Sequence, residues 1–306
     1  MSFSAYAFRV VDCTKPFDSS SLKGKSVVIT GGASGMGLAT VKAFVKACAF
    51  VTFGDLSVEK GEQIAAELGQ NAQFVQCDVT SFESQKKLFK AAKDSSPENS
   101  VDIVVPCAGI APKDTVFNIE EDSDLPVAPN LLMMDVNVTG VLYSLKLARY
   151  YFLKNPSDGN RDRCFVIFSS AAGYQDLPGG PMYQASKYAV RGLMRSTRRT
   201  TASDGIRANV LAPWFVATGL LGDDVTEHVK NQGIGFADAN DAASVVLKIA
   251  SDPTINGRSF AVVPRDDTAP LGYVDQDIDD YDEDSRIGKT QRIMLDTSQL
   301  TSVKQK

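Results

Sequence analysis

Apolar and polar positions along the chain form alternating blocks that predict strands and helices in turn. Short runs rich in β-branched residues predict buried parallel strands, because strands that are covered on both faces are apolar throughout. Helical spacing of apolar residues fills the intervals between these runs. The predicted strands are residues 25–30, 50–53, 73–75, 101–105, 164–168, 207–211 and 258–263.

The predicted helices separate these strands. One follows the glycine-rich loop at residues 31–37, and the others are residues 57–68, 81–94, 131–152, 182–202 and 239–250. Alternation of strands and helices implies a parallel sheet with right-handed crossovers and helices on both faces. We therefore expect an α/β fold of the doubly wound Rossmann type, with a seven-stranded parallel sheet in a single domain over residues 23–264.

The two ends of the chain differ from this central part. Residues 1–22 are polar and irregular, and we expect them to form an N-terminal arm. In the segment 265–306, seven of the ten residues from Asp275 to Asp284 are acidic, which favours a mobile, solvated C-terminal tail. The alternative is an arm that docks on a partner subunit, for which the apolar anchors are Ile293, Met294, Leu295 and Leu300.

Composition excludes several classes of function. The formal charge of −5 argues against a nucleic-acid partner, and the cationic residues are scattered. Even Arg195, Arg198 and Arg199 are expected on the outer face of a helix. No apolar run reaches the length of a membrane span and the N-terminus lacks a signal pattern, so we expect a cytoplasmic protein without a membrane partner.

Cysteine and histidine usage argues against a metal site. The five cysteines have no metal-type spacing, and several lie in apolar runs, so reduced buried thiols are expected. His228 is the single histidine, and no nucleophile-elbow motif accompanies it. We expect His228 on the surface, in a loop or short helix.

Candidate chemistry centres on Tyr183 and Lys187, with Ser170 thirteen residues before the tyrosine. Residues four positions apart share one face of a helix. A free tyrosine hydroxyl has a pKa of about 10, and a neighbouring ammonium group favours the phenolate. Ser170 follows a predicted buried strand. The set suits proton transfer to or from an alcohol oxygen, although a Tyr-x-x-x-Lys spacing alone also fits an ordinary solvated helix face.

A glycine-rich loop provides independent support for a nucleotide site. Gly31, Gly35 and Gly37 stand between a predicted strand and a predicted helix, where main-chain groups and the helix N-terminus bind a pyrophosphate. Asp55 ends the next strand, where a carboxylate accepts hydrogen bonds from ribose hydroxyls and repels a 2′-phosphate. No Arg or Lys stands beside it, at Leu56 for example, so NAD is favoured over NADP. The alternative for Asp55 is a turn residue.

With these residues in place, the chain resembles the classical subfamily of short-chain dehydrogenases/reductases over about residues 23–264. The resemblance depends on several motifs in one order: residues 30–37, Asp78 with Val79, Ala108 with Gly109, Asn137, Ser170, Tyr183 with Lys187, and residues 213–218. The pattern is also similar to 15-hydroxyprostaglandin dehydrogenase-like enzymes and to fungal dehydrogenases that modify polyketides or terpenoids.

The resemblance implies roles for these residues. Tyr183 would be the acid/base, Lys187 would support it and hold the nicotinamide ribose, and Ser170 would bind the substrate oxygen. Asn137 would bend its helix and hold a water in a proton relay. The cofactor would be bound by Gly31, Ser34, Gly35, Met36, Gly37, Asp55, Leu56, Asp78, Val79, Ala108, Gly109, Tyr183, Lys187, Val216 and Thr218.

Three positions depart from the family pattern. Cys107 replaces an asparagine that normally supports the central strand, and Trp214 replaces a glycine, so a large ring is expected to narrow the wall of the site. The last predicted strand lacks the usual glycine pair after Val263. The family pattern therefore does not predict the course of the C-terminal segment.

The expected reaction is NAD-dependent oxidation of a secondary alcohol on a hydrophobic small molecule. A substrate lid is expected at about residues 219–237. The alternatives are a ketone reductase that uses NAD(P)H and, from another class, a redox-silent dinucleotide-binding sensor or scaffold. The resemblance also implies a homodimer or homotetramer that pairs through the two long helices, with Leu142, Leu145, Tyr150 and Phe152 as candidate contacts. The residues expected around the substrate are Tyr174, Leu177, Met182, Trp214, Phe215, Leu220, Leu221, Val225, Ile234 and Phe236.

Overall fold

The structure is a computed structural model that describes residues 9–119, 124–155 and 163–302. The expectations for residues 1–8 of the N-terminal arm and for residues 303–306 of the C-terminal segment lie outside the described residues. The side chain of Leu300, one of the proposed anchors, also lies outside them.

One eight-stranded sheet forms the centre of the molecule, in the order β3-β2-β1-β4-β5-β6-β7-β8. The first seven strands are parallel, as predicted, and β8 pairs antiparallel with β7. The strands are β1 Ser26–Thr30, β2 Phe50–Asp55, β3 Ala72–Gln76, β4 Ile103–Pro106, β5 Arg163–Phe168, β6 Ile206–Pro213, β7 Ser259–Val262 and β8 Tyr273–Asp275.

Helices cover both faces of this sheet. All the predicted helices are present, and two further ones, α7 and α9, lie in the segment expected as a lid and in the expected tail. The α-helices are α1 Gly35–Lys46, α2 Val58–Leu68, α3 Phe82–Ser95, α4 Leu132–Met134, α5 Gly140–Lys154, α6 Pro181–Thr200, α7 Asp223–Asn231, α8 Ala239–Ser251 and α9 Arg286–Ser302. A π-helical turn, Asp135–Thr139, joins α4 to α5.

The core consists of two clusters, one on each face of the sheet. Successive residues of β1 serve opposite clusters: Val27 and Ile29 join one, and Val28 joins the other. The first cluster includes Phe44 of α1 and Ile249 of α8, and the second is completed by side chains of α3, α5 and α6. A strand that supplies both faces must be apolar at every position, which explains why the strands were predictable as continuous apolar runs.

The C-terminal segment does not form the expected solvated tail. Its chain continues from β7 into β8, and Gly272, with a φ of +78°, packs so closely on Asp241 that a Cβ atom would lie 2.0 Å from Asp241 Oδ2. Asp279 is only 3% exposed. The prediction of a mobile tail is therefore wrong for this part of the chain, and the folded unit extends beyond residue 264.

The prediction of an outward-facing arginine row is wrong for the same reason. Arg198 is 2% exposed, and its guanidinium group pairs with Asp280 at 3.1 Å. Arg195 donates to the main-chain oxygen of Asp279 at 2.7 Å. The acidic segment and the arginines of α6 therefore neutralise each other, with Arg198 buried and Arg195 and Arg199 half-buried.

The described part of the N-terminal arm packs on the same edge of the sheet. The main-chain N–H of Val11 donates to Asp275 Oδ2 at 2.9 Å, and Cys13 is buried. None of the five cysteines is disulfide-bonded, and His228 lies exposed in α7, as predicted. Among the described residues, no helix combines the length and the apolar character needed to cross a lipid bilayer.

Candidate active site

The glycine loop lies at the carboxyl end of β1 and approaches the end of β4 very closely. Gly31 has a φ of +69°, and a Cβ atom on it would lie 2.7 Å from the Ala108 Cα atom. A Cβ atom on Gly37 would lie 2.0 Å from the carbonyl oxygen of Gly31. Both positions therefore require glycine, one for backbone conformation and both for space.

This loop has the features that a dinucleotide requires. Helix α1 begins at Gly35, whose φ is +51°, and the exposed N-cap residue Ser34 makes no side-chain hydrogen bond to the first turn. The Thr218 side chain lies 3.2 Å from the position of a Cβ atom on Gly35. A helix N-terminus without a side-chain cap, approached through a glycine loop, suits a pyrophosphate. The residues present therefore fit the cofactor that the sequence implies.

Asp55 holds the glycine loop from the neighbouring strand. Its Oδ2 atom accepts a hydrogen bond from the Ala33 N–H at 3.0 Å, and its Oδ1 atom accepts one from the Ser57 N–H at 3.1 Å. The turn role considered for Asp55 is therefore real. The Asp55 carboxylate can also bind ribose hydroxyls, because each of its oxygens can accept a second hydrogen bond. Leu56 beside it is exposed.

Tyr183 and Lys187 lie one turn apart on α6, as the spacing predicted. Lys187 Nζ lies 5.4 Å from the centre of the Tyr183 ring. The same Nζ atom donates a hydrogen bond to the carbonyl oxygen of Phe168, at the end of β5, at 3.3 Å. Lys187 is 6% exposed, so its ammonium group is fixed in the interior beside the phenol rather than extended into solvent.

Asn137 lies buried in the π-helical turn, where the extra residue of that turn interrupts regular helix geometry. Its side chain exchanges two hydrogen bonds with the main chain of Ile110, both at 2.9 Å. Its Nδ2 atom also donates to Ser186 Oγ at 3.2 Å. A Cβ atom on Gly109 would lie 3.4 Å from Asn137 Oδ1 and 3.7 Å from Lys187 Nζ, so these three predicted site residues meet.

Ser170 begins a short 3₁₀ turn, Ala171–Gly173, that packs on α6. Its Oγ atom accepts a hydrogen bond from the Ala172 N–H at 3.2 Å. Gly173 is so close to α6 that a Cβ atom would lie 2.9 Å from the carbonyl oxygen of Lys187. Ser169 Oγ donates to that same carbonyl oxygen at 2.9 Å. The serine turn and helix α6 are thus joined at Lys187.

The remaining cofactor candidates lie at neighbouring strand ends. Asp78 is exposed and accepts hydrogen bonds from Thr80, and Val79 packs against Gly140. Val216 is buried and forms an isolated bridge to Ala237, which closes the base of the segment expected as a lid. The candidates therefore gather at the carboxyl edge of the sheet, where open α/β sheets bind ligands.

The structure shows what surrounds Cys107 and Trp214, two of the residues that depart from the family pattern. Burial raises the pKa of the Cys107 thiol to about 12, so this residue acts as a small apolar side chain and not as a nucleophile. Trp214 packs edge-to-face on Phe215, with ring centroids 4.9 Å apart. The aromatic pair occupies the turn after β6 in place of a glycine.

Sequence reasoning missed Asp114, which links two walls of the site. Its Oδ2 atom accepts a hydrogen bond from the Met182 N–H in the first turn of α6 at 2.7 Å, and its Oδ1 atom accepts one from the Val116 N–H at 3.0 Å. Asp114 and Met182 are 68 residues apart, so no local pattern connects them. An acidic side chain stabilises a helix N-terminus, but nothing in the sequence indicates that Asp114 lies at the N-terminus of α6.

Two residues do not lie where they were expected, which was around the substrate for Tyr174 and at a subunit interface for Phe152. Tyr174 donates its hydroxyl hydrogen to Ser259 Oγ at 2.7 Å, and its ring lies 4.0 Å from the Arg191 guanidinium carbon. Phe152, expected at a subunit interface, is fully buried in the core of its own chain. Both predictions are corrected by these contacts.

Comparison with known proteins agrees with this geometry. The family model described as short chain dehydrogenase matches residues 25–228. A 5'-hydroxyaverantin dehydrogenase of Dothistroma septosporum is 43% identical over 268 residues, covering 81% of this chain and 87% of the relative. A 5'-hydroxyaverantin dehydrogenase of Emericella nidulans is 34% identical over 269 residues, with the same coverage of 81% and 87%.

A solved structure shows the same fold. A 3-ketoacyl-(acyl-carrier-protein) reductase from Brucella melitensis, complexed with NADH, superposes with a TM-score of 0.67 at 24% identity. The match covers 79% of this chain and 97% of that chain.

The fold and the site define an oxidoreductase of the Rossmann type that acts on hydroxyl groups. The chain belongs to the short-chain dehydrogenase family. Its cofactor is a nicotinamide dinucleotide, in keeping with the family and with the glycine loop. Its relatives include fungal enzymes named for a hydroxylated small molecule.

Proposed function

We propose that this protein oxidises a secondary alcohol on a bulky, hydrophobic small molecule to the ketone, with NAD⁺ as the oxidant. The observation that carries the proposal is the buried Lys187 ammonium group beside the Tyr183 ring, joined to Asn137 and Gly109. The two 5'-hydroxyaverantin dehydrogenases support an alcohol as the substrate.

The chain supplies the proton chemistry of this reaction. Tyr183 takes the proton from the substrate hydroxyl, and Ser170 Oγ donates a hydrogen bond to the same oxygen as its charge develops. The buried Lys187 ammonium group is fixed beside the Tyr183 ring and would also hold the nicotinamide ribose. Asn137 fixes the turn beside Lys187 and would hold a water in a proton relay that begins at Lys187. Removal of a hydride from the alcohol carbon is the chemistry that the bound nicotinamide supplies.

Asp55 supports NAD over NADP. A carboxylate held by the Ala33 and Ser57 N–H groups accepts hydrogen bonds from ribose hydroxyls and repels a 2′-phosphate. The test compares kcat/KM for NAD⁺ and NADP⁺ in the wild type, in Asp55→Asn and in a double variant, Asp55→Ser with Leu56→Arg. Asp55→Asn keeps an acceptor and removes the charge. We expect the NAD⁺ preference to fall about tenfold in Asp55→Asn and to invert in the double variant.

The surroundings of the site support an apolar substrate. The Asp114 hydrogen bond places residues 114–116 beside the first turn of α6, and the Asn130 N–H donates to Thr115 Oγ1 at 3.3 Å, which brings the end of this segment back to its start. The segment exposes Phe117 at 74%, and residues 219–237 expose Val225 and Ile234. Exposed apolar side chains near a site mark a binding surface.

The activity test uses purified protein, NAD⁺ and 5'-hydroxyaverantin, with a panel of hydrophobic secondary alcohols, followed by NADH absorbance. We expect turnover with bulky alcohols and little with ethanol or propan-2-ol. Faster turnover of NADPH with the matching ketones would contradict the proposed direction and cofactor together. The enzyme relatives and the intact Tyr183–Lys187 pair favour this function over a redox-silent sensor.

We further propose a homodimer or homotetramer that forms through α5 and α6. Leu142, Tyr150 and Leu153 of α5 and Tyr188 of α6 are exposed apolar or aromatic side chains on these helices. Light scattering after size exclusion tests the assembly, with Leu142→Glu combined with Tyr150→Glu as the disrupting variant. A monomeric wild-type protein at micromolar concentration would refute it.

A further inference from the structure

The acidic C-terminal segment reaches the back of the catalytic helix. Asp279 accepts hydrogen bonds on Oδ1 from Arg191 Nε at 2.8 Å and from Arg195 Nη1 at 3.1 Å. Its main-chain oxygen accepts one from Arg198 Nη2 at 2.8 Å. The three arginines lie on α6 after Lys187. One buried aspartate therefore accepts hydrogen bonds from three cationic side chains of the helix that carries the proposed acid/base.

Arg191 continues from this aspartate to the serine turn. Its Nη1 atom donates to the carbonyl oxygen of Gly173 at 3.2 Å, and its guanidinium carbon lies 4.0 Å from the centre of the Tyr174 ring. Gly173 is the last residue of the turn that Ser170 begins. A single guanidinium group therefore connects Asp279 to the turn that presents Ser170.

A second path reaches the same turn from the other carboxylate oxygen. Ser259 Oγ donates to Asp279 Oδ2, and Tyr174 donates its hydroxyl hydrogen to Ser259 Oγ at 2.7 Å. Burial raises the pKa of the Tyr174 phenol, so it remains a donor at working pH. Tyr174 follows Gly173 directly, and its N–H donates to the Ala171 carbonyl oxygen at 2.9 Å.

Besides these two paths, the turn is joined to the sheet through Ser169, whose N–H donates to the Leu211 carbonyl oxygen at 2.8 Å. It is closed by the Gly173 N–H, which donates to the Ser170 carbonyl oxygen at 2.9 Å, and it rests on Lys187 through Gly173. Displacement of Gly173 would therefore move the Ser170 hydroxyl relative to the helix at Lys187. Two hydrogen-bond paths from the Asp279 carboxylate restrain that movement, one through Arg191 and one through Ser259 and Tyr174.

We propose that Asp279 is a positioning residue for the reaction: through Arg191 and Ser259 it holds the turn that carries Ser170 against the helix that carries Tyr183 and Lys187. This proposal rests on the catalytic role proposed for Ser170. In this proposal the acidic segment keeps the site residues in position, and Asp279 itself contacts neither substrate nor cofactor.

Amide hydrogen exchange of the protein without added ligand tests the proposal independently of activity. Asp279→Asn keeps the size of the side chain and removes its charge, and Glu283→Gln is the matched control on an exposed side chain of the same segment. We expect peptides that cover residues 170–175 to exchange about tenfold faster in Asp279→Asn and at the wild-type rate in Glu283→Gln. Unchanged exchange in a folded Asp279→Asn protein would overturn the proposal.

Kinetics separates positioning from simple loss of stability. With 5'-hydroxyaverantin and NAD⁺, we expect Asp279→Asn to lower kcat about tenfold while the Kd for NADH stays within twofold. In a Ser170→Ala background the same substitution should lower kcat by less than twofold, because the group it positions is gone. Equal losses in both backgrounds would show that Asp279 does not act through Ser170 and would overturn the proposal.

A second variant covers the case in which Asp279→Asn does not fold. Arg191→Lys keeps a positive charge opposite Asp279 but cannot also reach the Gly173 carbonyl oxygen, so faster exchange of residues 170–175 is again expected. Wild-type exchange in Arg191→Lys would overturn the proposal. If the wild type itself fails to oxidise any alcohol, the proposed function fails, and the exchange data still decide whether Asp279 holds the turn.

Discussion

Lys187 Nζ lies 5.4 Å from the centre of the Tyr183 ring, at a point where the same ammonium group also contacts the Phe168 carbonyl oxygen. The lysine is thus anchored to the end of β5 and cannot turn away without losing a buried hydrogen bond. We therefore expect substitution of Tyr183 to lower turnover more than substitution of any other residue of the site.

Replacement of the tyrosine hydroxyl should abolish turnover and spare cofactor binding. Tyr183→Phe should lower kcat by about 10²–10⁴-fold, the range for a general acid or base, with the Kd for NADH within about threefold of wild type. NADH fluorescence titration and steady-state rates measure the two effects. Tyr188→Phe, at an exposed tyrosine of the same helix, is the control and should leave turnover unchanged, because phenylalanine keeps the ring proposed for the subunit contact. A parallel loss of NADH binding in Tyr183→Phe would speak against its role as acid/base.

Gly31 of the glycine loop can be compared with Gly24, which precedes β1 and has a similar backbone angle. Gly24 has a φ of +78° with open space around it, whereas a Cβ atom on Gly31 would meet the Ala108 backbone at 2.7 Å. Gly24→Ala should therefore cost only the conformational penalty, about 1–2 kcal/mol in the free energy of unfolding. Gly31→Ala should cost more and weaken NADH binding at least about tenfold. Urea unfolding and fluorescence titration check both values, and equal effects at the two positions would refute the close approach.

Asp279 should make the protein sensitive to acid. Burial alone would raise the pKa of Asp279, but hydrogen bonds from Ser259 and Arg191, together with the arginine charge, lower it below its usual value. A lowered folded-state pKa stabilises the protein above the unfolded-state value of about 3.9, and this contribution disappears as the pH falls through the folded-state value.

The free energy of unfolding of Asp279→Asn should accordingly lie about 3 kcal/mol below that of wild type at pH 7, as expected for a broken buried pair. The difference should shrink as the pH falls below about 4. Urea titrations from pH 7 to pH 2.5 measure it, with Glu283→Gln as the exposed control. A difference that stays constant across this range would contradict the assignment.

The cysteines should differ sharply in reactivity. Burial raises the pKa of Cys13 and Cys77 to about 11 and that of Cys107 to about 12, and Cys164 is fully buried. Cys48 is exposed. Iodoacetamide at pH 8 should therefore modify Cys48 first in the native protein and all five thiols after unfolding. Peptide mass mapping gives the order, Cys48→Ser supplies the control, and early labelling of Cys107 would contradict its raised pKa.

The sequence was sufficient for the central strands because each supplies side chains to both faces of the sheet. Val27, Val28 and Ile29 are apolar in succession for that reason, and the signal is local. The Tyr183–Lys187 pair was predictable on the same ground, since four residues make one helical turn. Asn137 could be singled out from its motif, but its contact with Ile110 depends on a π-helical turn that no periodicity indicates.

The errors arose where partners lie far apart along the chain. Arg191 and Asp279 are 88 residues apart, so each charged group looks like part of a solvated surface when it is considered alone. Strand β8 has only three residues, too few for a pattern of period two to show. The two errors were linked, because Arg198 is buried by its contacts with Asp279 and Asp280 of the acidic segment.

Strand β8 also changes what the sheet presents to other molecules. Without it, β7 would end the sheet with a row of free amide and carbonyl groups, a template on which a foreign strand can add. The chain covers that row with its own three residues and places Asp277 two residues after them. Removal of β8 would therefore be expected to leave the edge of β7 open to aggregation and to remove the support behind α6.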